Sequence, residues 1–387
     1  MTQRGRAIWP WALLPVVLLA AMAVVFGQSG LVQFMRRGVP PVEELTFERV
    51  TLKPDVITVG IVNGGPDPVT VVQVLVDEAF WAFSIEPGSR IPRLGRATIE
   101  IPYPWVPNER HEIMVLTSTG LTFAHEIPVA TETPSADLRF FAVFALIGLY
   151  VGVIPVAIGL LWYPMLRRLD RRWVDFALAL TIGLLVFLGV DALHEALETA
   201  AQVAGAFQGT LVVAVGALGA VLVLQMASGG SLKRGGVEGR RMVALLVALG
   251  IGLHNLGEGL AIGAAYSLGE AALGAFLIVG FMLHNTTEGL GIVAPIARDE
   301  PRIMTLAGLG LLAGGPTILG AWVGGLAYSP LYATFFLAVG AGAMAQVVMA
   351  LYRVLGSEAV GGAWTPLNAG AVLVGMLVMY ATGLLVA

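Results

Sequence analysis

Two short stretches of the sequence combine histidine and glutamate one helical turn apart. The stretch from His254 reads His-Asn-Leu-Gly-Glu-Gly-Leu, and the stretch from His284 reads His-Asn-Thr-Thr-Glu-Gly-Leu. In each copy the glutamate, Glu258 or Glu288, follows its histidine by four positions and shares one helical face with it. Imidazole and carboxylate donors suit Zn²⁺, Fe²⁺ or Mn²⁺ and do not suit the soft Cu⁺ ion. The repeat therefore predicts a divalent metal site.

The spacing of the two copies predicts that they lie on neighbouring antiparallel helices. Thirty residues separate His254 from His284, which is about one membrane span plus a short turn. Each copy would lie about 20 Å into its span, close to the membrane midplane. Alternatively, each histidine only hydrogen-bonds its own glutamate and stabilises a dry helix pair, but two matched copies favour metal. Asn255 and Asn285 each lie about 100° around the helix from the preceding histidine. Their alternative roles are to serve a second ion, to form an outer ligand shell or to contact another helix.

A further polar group lies in an earlier apolar stretch and consists of Asp191, His194, Glu195 and Glu198. The three carboxylates share one helical face, and the histidine neighbours two of them. Because the group lies toward the outer end of its span, it is a candidate entry vestibule for metal. A water-exposed polar cap is the alternative.

The composition places much of the chain in lipid. Of 387 residues, 57% are hydrophobic and 12% are charged, and the mean hydropathy is +0.83. Soluble domains carry about 25% charged residues, so this chain has too few charges to cover a water-facing surface. The net charge of −4 and the lack of a basic patch with aromatic residues argue against a nucleic-acid partner. The absence of cysteine excludes disulfides and thiolate ligands.

From Leu138 onward the chain is almost continuously apolar. The pattern predicts eight spans, over 138–161, 173–196, 204–226, 242–266, 270–295, 303–327, 331–352 and 365–386. Alternate loops contain lysine and arginine, at 167–172, 233–241 and 298–302. The other loops contain neither, at 197–203, 267–269 and 328–330. By the positive-inside rule, the basic loops are cytoplasmic and the C-terminus lies outside.

The N-terminal segment, 1–28, contains an apolar run from Ala7 to Phe26 that follows Arg4 and Arg6. This pattern predicts a membrane anchor whose N-terminus stays in the cytoplasm. A cleaved signal peptide is the alternative, because Ala-Met-Ala at 21–23 resembles a cleavage site. Both interpretations place the next segment on the outer side of the membrane, which we expect to be a bacterial inner membrane.

Residues 42–132 differ in kind, because short β-type runs replace the long apolar stretches. Turn signals separate seven runs, at Thr46–Leu52, Val56–Val62, Val69–Val76, Phe80–Ile85, Ala97–Ile101, His111–Leu116 and Leu121–Val129. The pattern predicts a small all-β sandwich of immunoglobulin-like shape. His111 and His125 lie on these strands; we expect surface histidines there, and a metal-capturing role is the alternative.

The apolar core of the sequence, residues 138–387, resembles the ZIP family of divalent metal transporters. The resemblance rests on eight spans with both ends of the core outside, a cytoplasmic loop between spans three and four, and His-Asn-x-x-Glu-Gly motifs in spans four and five. It implies an all-α polytopic core that moves one helix bundle against the other. Four residues match the family's transport-site ligands: His254, Glu258, His284 and Glu288. Two match positions that help to hold a second ion in binuclear members: Asn255 and Asn285.

The sequence also departs from the family. In the second span, where members often read His-Leu-Leu-Pro-Glu-Ala, this chain reads Asp-Ala-Leu-His-Glu-Ala from Asp191. Gly315-Pro316 stands where binuclear members have Glu-Pro, and Ala350-Leu351 stands where many members have a glutamate pair. The loop 227–241 lacks the family's histidine cluster. Because two divalent ions a few Å apart repel strongly without another anionic ligand, we expect one tightly bound metal per chain.

The sequence therefore predicts a divalent metal transporter that is not an enzyme and has metal as substrate rather than as catalytic cofactor. The expected partners are a divalent ion, first Zn²⁺ with Fe²⁺ or Mn²⁺ as alternatives, and the lipid bilayer. A homodimer is an open alternative, and no nucleic acid is expected. Two other functions remain open. One is an intramembrane metal-dependent hydrolase, although the His-Glu-x-x-His motif is absent. The other is a metal sensor that reports through its β domain.

Overall fold

The computed structural model describes residues 9–28, 40–133, 135–234, 236–267, 271–359 and 362–384. The chain divides into two compact units, Met1–Val42 and Glu43–Ala387. The first unit contains helix α1 (Trp9–Gln28), an apolar helix with Pro15 inside it. This helix covers most of the predicted anchor, whereas Arg4 and Arg6 lie outside the described residues.

The second unit begins with an antiparallel β sandwich. Its described strands are β1 (Leu45–Lys53), β2 (Val56–Asn63), β3 (Val69–Val76), β4 (Ala79–Trp81), β5 (Ser84–Glu86), β6 (Arg90–Ile91), β7 (Arg96–Ile101), β8 (His111–Thr117) and β9 (Thr122–Ile127). One sheet has the order β1-β2-β7-β5, and the other has β4-β3-β8-β9 with β6 paired to β3. Ala97, Ile99 and Ile101 of β7 are buried, alternating with exposed neighbours. Such inward-facing residues of both sheets form the core.

The prediction of a single strand over Phe80–Ile85 is wrong. Trp81 pairs with Val74 in one sheet, whereas Ile85 pairs with Ile99 in the other. The chain therefore changes sheets between β4 and β5. Hydrophobic alternation continues across this crossing because both strands face the same core, so the pattern alone does not reveal the break.

The expectation that His111 is a surface residue is also wrong. His111 is 3% exposed, because it lies on the inward face of β8. Its Nδ1 lies 2.7 Å from Oδ2 of Asp77, which also accepts from the Tyr103 hydroxyl at 2.8 Å. Burial raises the pKa of Asp77, but its hydrogen bonds with the Glu112 amide, His111 and Tyr103 outweigh burial and lower this pKa overall. His111 is therefore part of the sandwich core.

Eight long apolar helical segments follow the sandwich in the described part of the chain, as predicted, and they indicate an integral membrane protein. The first consists of α2 (Leu138–Gly148), a π-helical turn at Leu149–Val153, α3 (Ile154–Leu160) and the short α4 (Tyr163–Leu166). The sixth consists of α9 (Ile303–Gly314) and α10 (Pro316–Ala327); Gly315 between them keeps helical torsion angles, so the break at Gly315-Pro316 is one of hydrogen bonding, which Pro316 interrupts. The others are α5 (Arg171–Ala201), α6 (Gly209–Arg234), α7 (Gly236–Ser267), α8 (Ala271–Val293), α11 (Pro330–Glu358) and α12 (Pro366–Gly383).

The predicted loop at 227–241 is mostly helical. Helix α6 continues to Arg234 and α7 begins at Gly236, so only Gly235 between them lies outside the described residues. Both helices thus extend beyond their apolar parts into a segment rich in glycine and charged residues. Polarity therefore marks the end of the apolar segment but not the end of the helix.

The charged loops lie at one end of the helices. Arg167 forms an ion pair with Glu300. Arg240 Nε donates to both carboxylate oxygens of Asp299 at 3.1 Å, and the Asp299 side chain is only 2% exposed. These pairs join the three loops that the sequence identifies as basic.

The β sandwich contacts two of the loops that lack lysine and arginine. Arg49 donates from Nη1 to the carbonyl of Leu326, at the end of α10. The amide of Gly205, just before α6, donates to Oε1 of Glu44 at 2.6 Å. The sandwich therefore covers the ends of the helices opposite the basic loops.

Glycine contacts bring the first and fifth spans together at backbone distance. A Cβ on Gly159 of α3 would lie 2.2 Å from the Thr286 carbonyl of α8, and one on Gly289 would lie 2.4 Å from the Val156 carbonyl. Gly259 of α7 and Gly320 of α10 are in equally close contact across the fourth and sixth spans. Small residues permit such approach between membrane helices. Each His-Asn-x-x-Glu-Gly motif thus ends in a close helix–helix contact.

Candidate metal centre

The two motifs lie near the middle of α7 and α8, which pack against each other. Helix α7 is the most enclosed of the candidate spans, with 72% of its apolar window buried, against 11% for the span that contains α6. Because the histidine and glutamate of a motif lie one turn apart, a continuous helix presents both side chains on one face. The helix pair thus holds the motifs away from solvent.

Three motif side chains meet at one point. His254, Glu258 and His284 each supply a donor atom, and these atoms lie within 4.8 Å of one another. His284 Nε2 contacts Glu258 Oε1 directly, and His254 Nε2 lies 3.2 Å from the same oxygen. Both ring nitrogens of His254 lack a hydrogen bond although they are buried. Two imidazoles and a carboxylate that converge in this way form a group able to bind a metal ion.

Glu288, the fourth predicted ligand, lies outside this group. Its Oε2 accepts from Asn255 Nδ2 at 3.1 Å, and its Oε1 is buried without a hydrogen bond. The side chain is close enough to Glu258 for electrostatic repulsion between the two carboxylates. Its role as a ligand stays a prediction, and in the structure its orientation depends on Asn255.

The two asparagines connect the motifs crosswise. Asn255 of the first motif donates to Glu288 of the second, and Asn285 of the second donates from Nδ2 to Oε2 of Glu258 at 3.0 Å. Both asparagines are fully buried. The sequence left open whether they serve a second ion, an outer shell or a helix contact. In the structure, each amide orients the opposite carboxylate.

Each asparagine also bonds to a carbonyl at a helix irregularity. Asn285 donates to the Val151 carbonyl at 3.1 Å, and Asn255 donates to the Ala313 carbonyl at 3.2 Å. Val151 lies four residues before Pro155, which has no amide hydrogen for that carbonyl. Ala313 lies at the end of α9, beside the break at Gly315-Pro316. The two asparagines therefore link the motif carboxylates to irregular backbone positions in the first and sixth spans.

The hydrogen bonds from the two asparagines to these carbonyls were not predicted, although the sequence contains a signal for them. Pro155 is followed four residues later by Gly159, and Pro316 is followed four residues later by Gly320. The proline lies where the helix is irregular, and the glycine contacts the helix that carries a motif. This repeated Pro-x-x-x-Gly spacing could have identified the supporting helices.

The electrostatics of the centre favour a cation. Glu258 and Glu288 are 3% and 4% exposed, and neither pairs with lysine or arginine among the described residues. A charged side chain inside a membrane costs about 2.5–3.5 kcal/mol on insertion scales, so it is normally paired or functional. A divalent cation would offset both negative charges at once.

The candidate vestibule residues on α5 face different surroundings. Glu195 and Glu198 line a cavity of about 880 Å³, whereas Asp191 lines a separate cavity of about 370 Å³ that also touches His284. His194 Nε2 lies 3.2 Å from Glu198 Oε1, and both side chains are about two-thirds exposed. Glu195 is within electrostatic range of both His254 and Glu258. Of the four, Glu195 thus lines the large cavity and interacts electrostatically with the metal centre, whereas Asp191 shares a cavity with His284.

The departures in the sixth and seventh spans place no metal-ligating side chain at these positions. Gly315-Pro316 forms the break between α9 and α10, and the following Thr317 has a buried hydroxyl without a hydrogen bond. Ala350 and Leu351 are fully buried in the hydrophobic core of the helices.

Comparison with protein-family models and with curated proteins gives no match. The fold and the site alone therefore define the class of the chain. It is an integral membrane protein with eight long apolar helices, a small antiparallel β sandwich and a buried histidine–glutamate group that could bind a metal ion.

Replacing Asn285 by leucine is expected to weaken metal binding about 10–100-fold, the usual range for a lost partner of a metal ligand. The replacement keeps the number and branching of the side-chain heavy atoms but removes the hydrogen bond that Asn285 donates to Glu258. Titration of purified protein with Zn²⁺ measures the change. Thr286→Val is the matched control, because the Thr286 hydroxyl donates only to the Met282 carbonyl of its own helix. Equal affinities of Asn285→Leu and wild type would contradict the orienting role.

Proposed function

We propose that this protein transports a divalent metal cation across the membrane, with Zn²⁺ as the first candidate and Fe²⁺ or Mn²⁺ as alternatives. One observation carries the proposal: His254, Glu258 and His284 converge between α7, the most enclosed of the candidate spans, and its neighbour α8, and no described lysine or arginine pairs with the carboxylate. A borderline N/O donor set of this kind suits these three ions.

The surroundings of the centre support movement rather than permanent storage of the ion. A cavity of about 880 Å³ is lined by Gly257 and by Glu195, which is within electrostatic range of Glu258, and a second cavity of about 370 Å³ touches His284, so an ion could approach the centre through them. The π-helical turn and the Gly315-Pro316 break lie in the two spans that are tied to the motif carboxylates. Irregular helix segments are where bends concentrate. In this proposal, binding and release shift these spans relative to α7 and α8.

The proposed orientation follows from the distribution of charge. The basic loops, which contain Arg167, Arg240 and Arg298, would face the cytoplasm by the positive-inside rule. The β sandwich and the C-terminus would then lie on the outer side of a bacterial inner membrane. The large cavity, which lies against the sandwich, would be an entrance from outside.

We expect one tightly bound metal per chain. A second ion a few Å from the first would need another negative ligand, because the two charges repel strongly in a medium of low dielectric constant. The sixth span, Ile303–Ala327, contains no aspartate, glutamate or histidine. Metal analysis of purified protein together with an anomalous-scattering map measures the number of ions. Two ions within about 4–5 Å would contradict this expectation.

A metal-dependent hydrolase is the second candidate function, and the environment of Glu288 favours it. A three-ligand site that leaves a position for water is the arrangement of catalytic zinc, and the unpaired Oε1 of Glu288 would be available as a general base. The transporter is preferred because the large cavity offers a route for an ion to the centre.

Metal accumulation by whole cells tests the proposal. Cells that express the protein are expected to accumulate more of the added Zn²⁺, Fe²⁺ or Mn²⁺ than cells that express an inserted Glu258→Gln variant. Equal accumulation of all three ions in both strains would contradict the proposal and leave the hydrolase or a sensor as the better candidate.

A further inference from the structure

The large cavity lies between the β sandwich and the helices. Strand β9 contributes His125, the segment 44–47 contributes Glu44 and Phe47, and α5 contributes Glu195 and Glu198. Small residues of α7, from Gly257 to Ala265, form another part of its lining. The sandwich is therefore a roof over a cavity that extends from its strands toward α5 and α7.

This roof is held at two separate places. On one side, Arg49 donates to the Leu326 carbonyl, and on the other, Glu44 accepts from the Gly205 amide. The guanidinium of Arg96 also lies 6.0 Å from the ring centroid of Phe207, beyond Gly205. Because both attachments involve the same small domain, the β sandwich has a fixed position over the cavity.

His125 presents a free imidazole to this cavity. Its ring stacks on Phe47 with 5.2 Å between centroids, and neither ring nitrogen has a hydrogen bond among the described residues. Burial lowers the pKa of His125, so the ring is neutral near pH 7 and keeps a lone pair for a metal ion. A stacked, neutral and unpaired histidine has the properties of a metal ligand.

Glu195 presents a carboxylate to the same cavity, nearer the metal centre. Its carboxylate has no hydrogen bond or ion pair among the described residues, and it is within electrostatic range of His254 and Glu258. The cavity thus has an imidazole in its roof and a carboxylate in its wall. These are the two donor types of the metal centre itself.

We propose that the cavity is a loading chamber for the divalent cation, in which His125 and Glu195 together form one weak binding site on the way to the metal centre. This inference rests on the proposed transport function. Six water molecules occupy about 200 Å³ at about 30 Å³ each, so a cavity of about 880 Å³ admits the hydrated ion. The β sandwich then contributes a ligand to the entry route.

Equilibrium binding of Zn²⁺ to the purified full-length protein tests the chamber independently of transport. The expected isotherm has one tight site and one weaker site. His125→Phe, which keeps the ring on Phe47, is expected to weaken only the weaker site, about tenfold or more. Glu195→Gln is expected to have the same effect. Glu126→Gln is the matched control, because this exposed neighbour of His125 pairs with Arg110 at 2.8 Å.

Transport measurements add a second readout. In proteoliposomes, His125→Phe is expected to raise the KM for Zn²⁺ about tenfold and to leave the maximal rate unchanged, because the chamber loads the centre but does not replace it. Absence of a weaker site in wild type, or an unchanged weaker site in both variants, would overturn the loading chamber. Failure of the wild-type protein to transport any divalent ion would instead contradict the proposed function, and the binding result would still decide whether the chamber exists.

Discussion

Replacement of Glu258 by glutamine is expected to abolish metal transport while the protein still inserts and folds. Glu258 Oε1 is the one atom that both histidines approach, so the change removes the shared anionic donor. Loss of an outer partner of a metal ligand already costs about 10–100-fold, and loss of the central ligand should exceed that range. Initial rates of Zn²⁺ uptake, normalised to inserted protein, measure the effect.

Two further variants make this result specific. His284→Ala is expected to cause a similar loss, because it removes the second imidazole of the group. Glu300→Gln removes a glutamate that is exposed and pairs only with Arg167, and it is expected to retain uptake. Wild-type uptake by both Glu258→Gln and His284→Ala would exclude this group as the transport site.

Gly159→Ala is expected to prevent stable packing of the first span against the fifth. The added Cβ would lie 2.2 Å from the Thr286 carbonyl and 2.7 Å from the Gly289 Cα. Both are backbone atoms, which cannot rotate away as a side chain does. Overpacking by side chains costs about 1–3 kcal/mol, and we expect a larger loss here. Thermal unfolding in detergent and the yield of monodisperse protein measure it.

Gly308→Ala is the matched control for this substitution. Gly308 also lies in a membrane helix, α9, but a Cβ there would meet no atom within 4 Å. We expect it to unfold like wild type. If both variants unfold at the wild-type temperature, the close contact between α3 and α8 is not a feature of the folded protein.

Local patterns in the sequence predicted the elements of this fold. The eight apolar stretches form long helices. The length and composition of each stretch are enough to predict such a helix, without knowledge of contacts between distant residues. The pairing of histidine with glutamate across one turn of α7 also follows from spacing alone, and the contact between His254 and Glu258 agrees with it.

Contacts between distant segments could not be predicted in this way. Hydrophobic alternation does not reveal that β4 and β5 belong to different sheets, since both face one core. The bond from Asn285 to the Val151 carbonyl joins residues 134 positions apart, and it exists because Pro155 leaves that carbonyl without its helical partner. The placement of His125 and Glu195 in one cavity similarly depends on how the sandwich docks onto the helices.

Uptake of divalent metal by proteoliposomes that contain only the purified protein separates transport from the other candidate functions. A panel of Zn²⁺, Fe²⁺ and Mn²⁺ is added outside sealed vesicles, and the metal retained inside is measured over time. The proposed transport function predicts saturable, time-dependent accumulation of at least one of these ions by wild type and none above empty vesicles by Glu258→Gln. Wild-type vesicles that bind the metal at the His254, Glu258 and His284 group but accumulate none inside would contradict it.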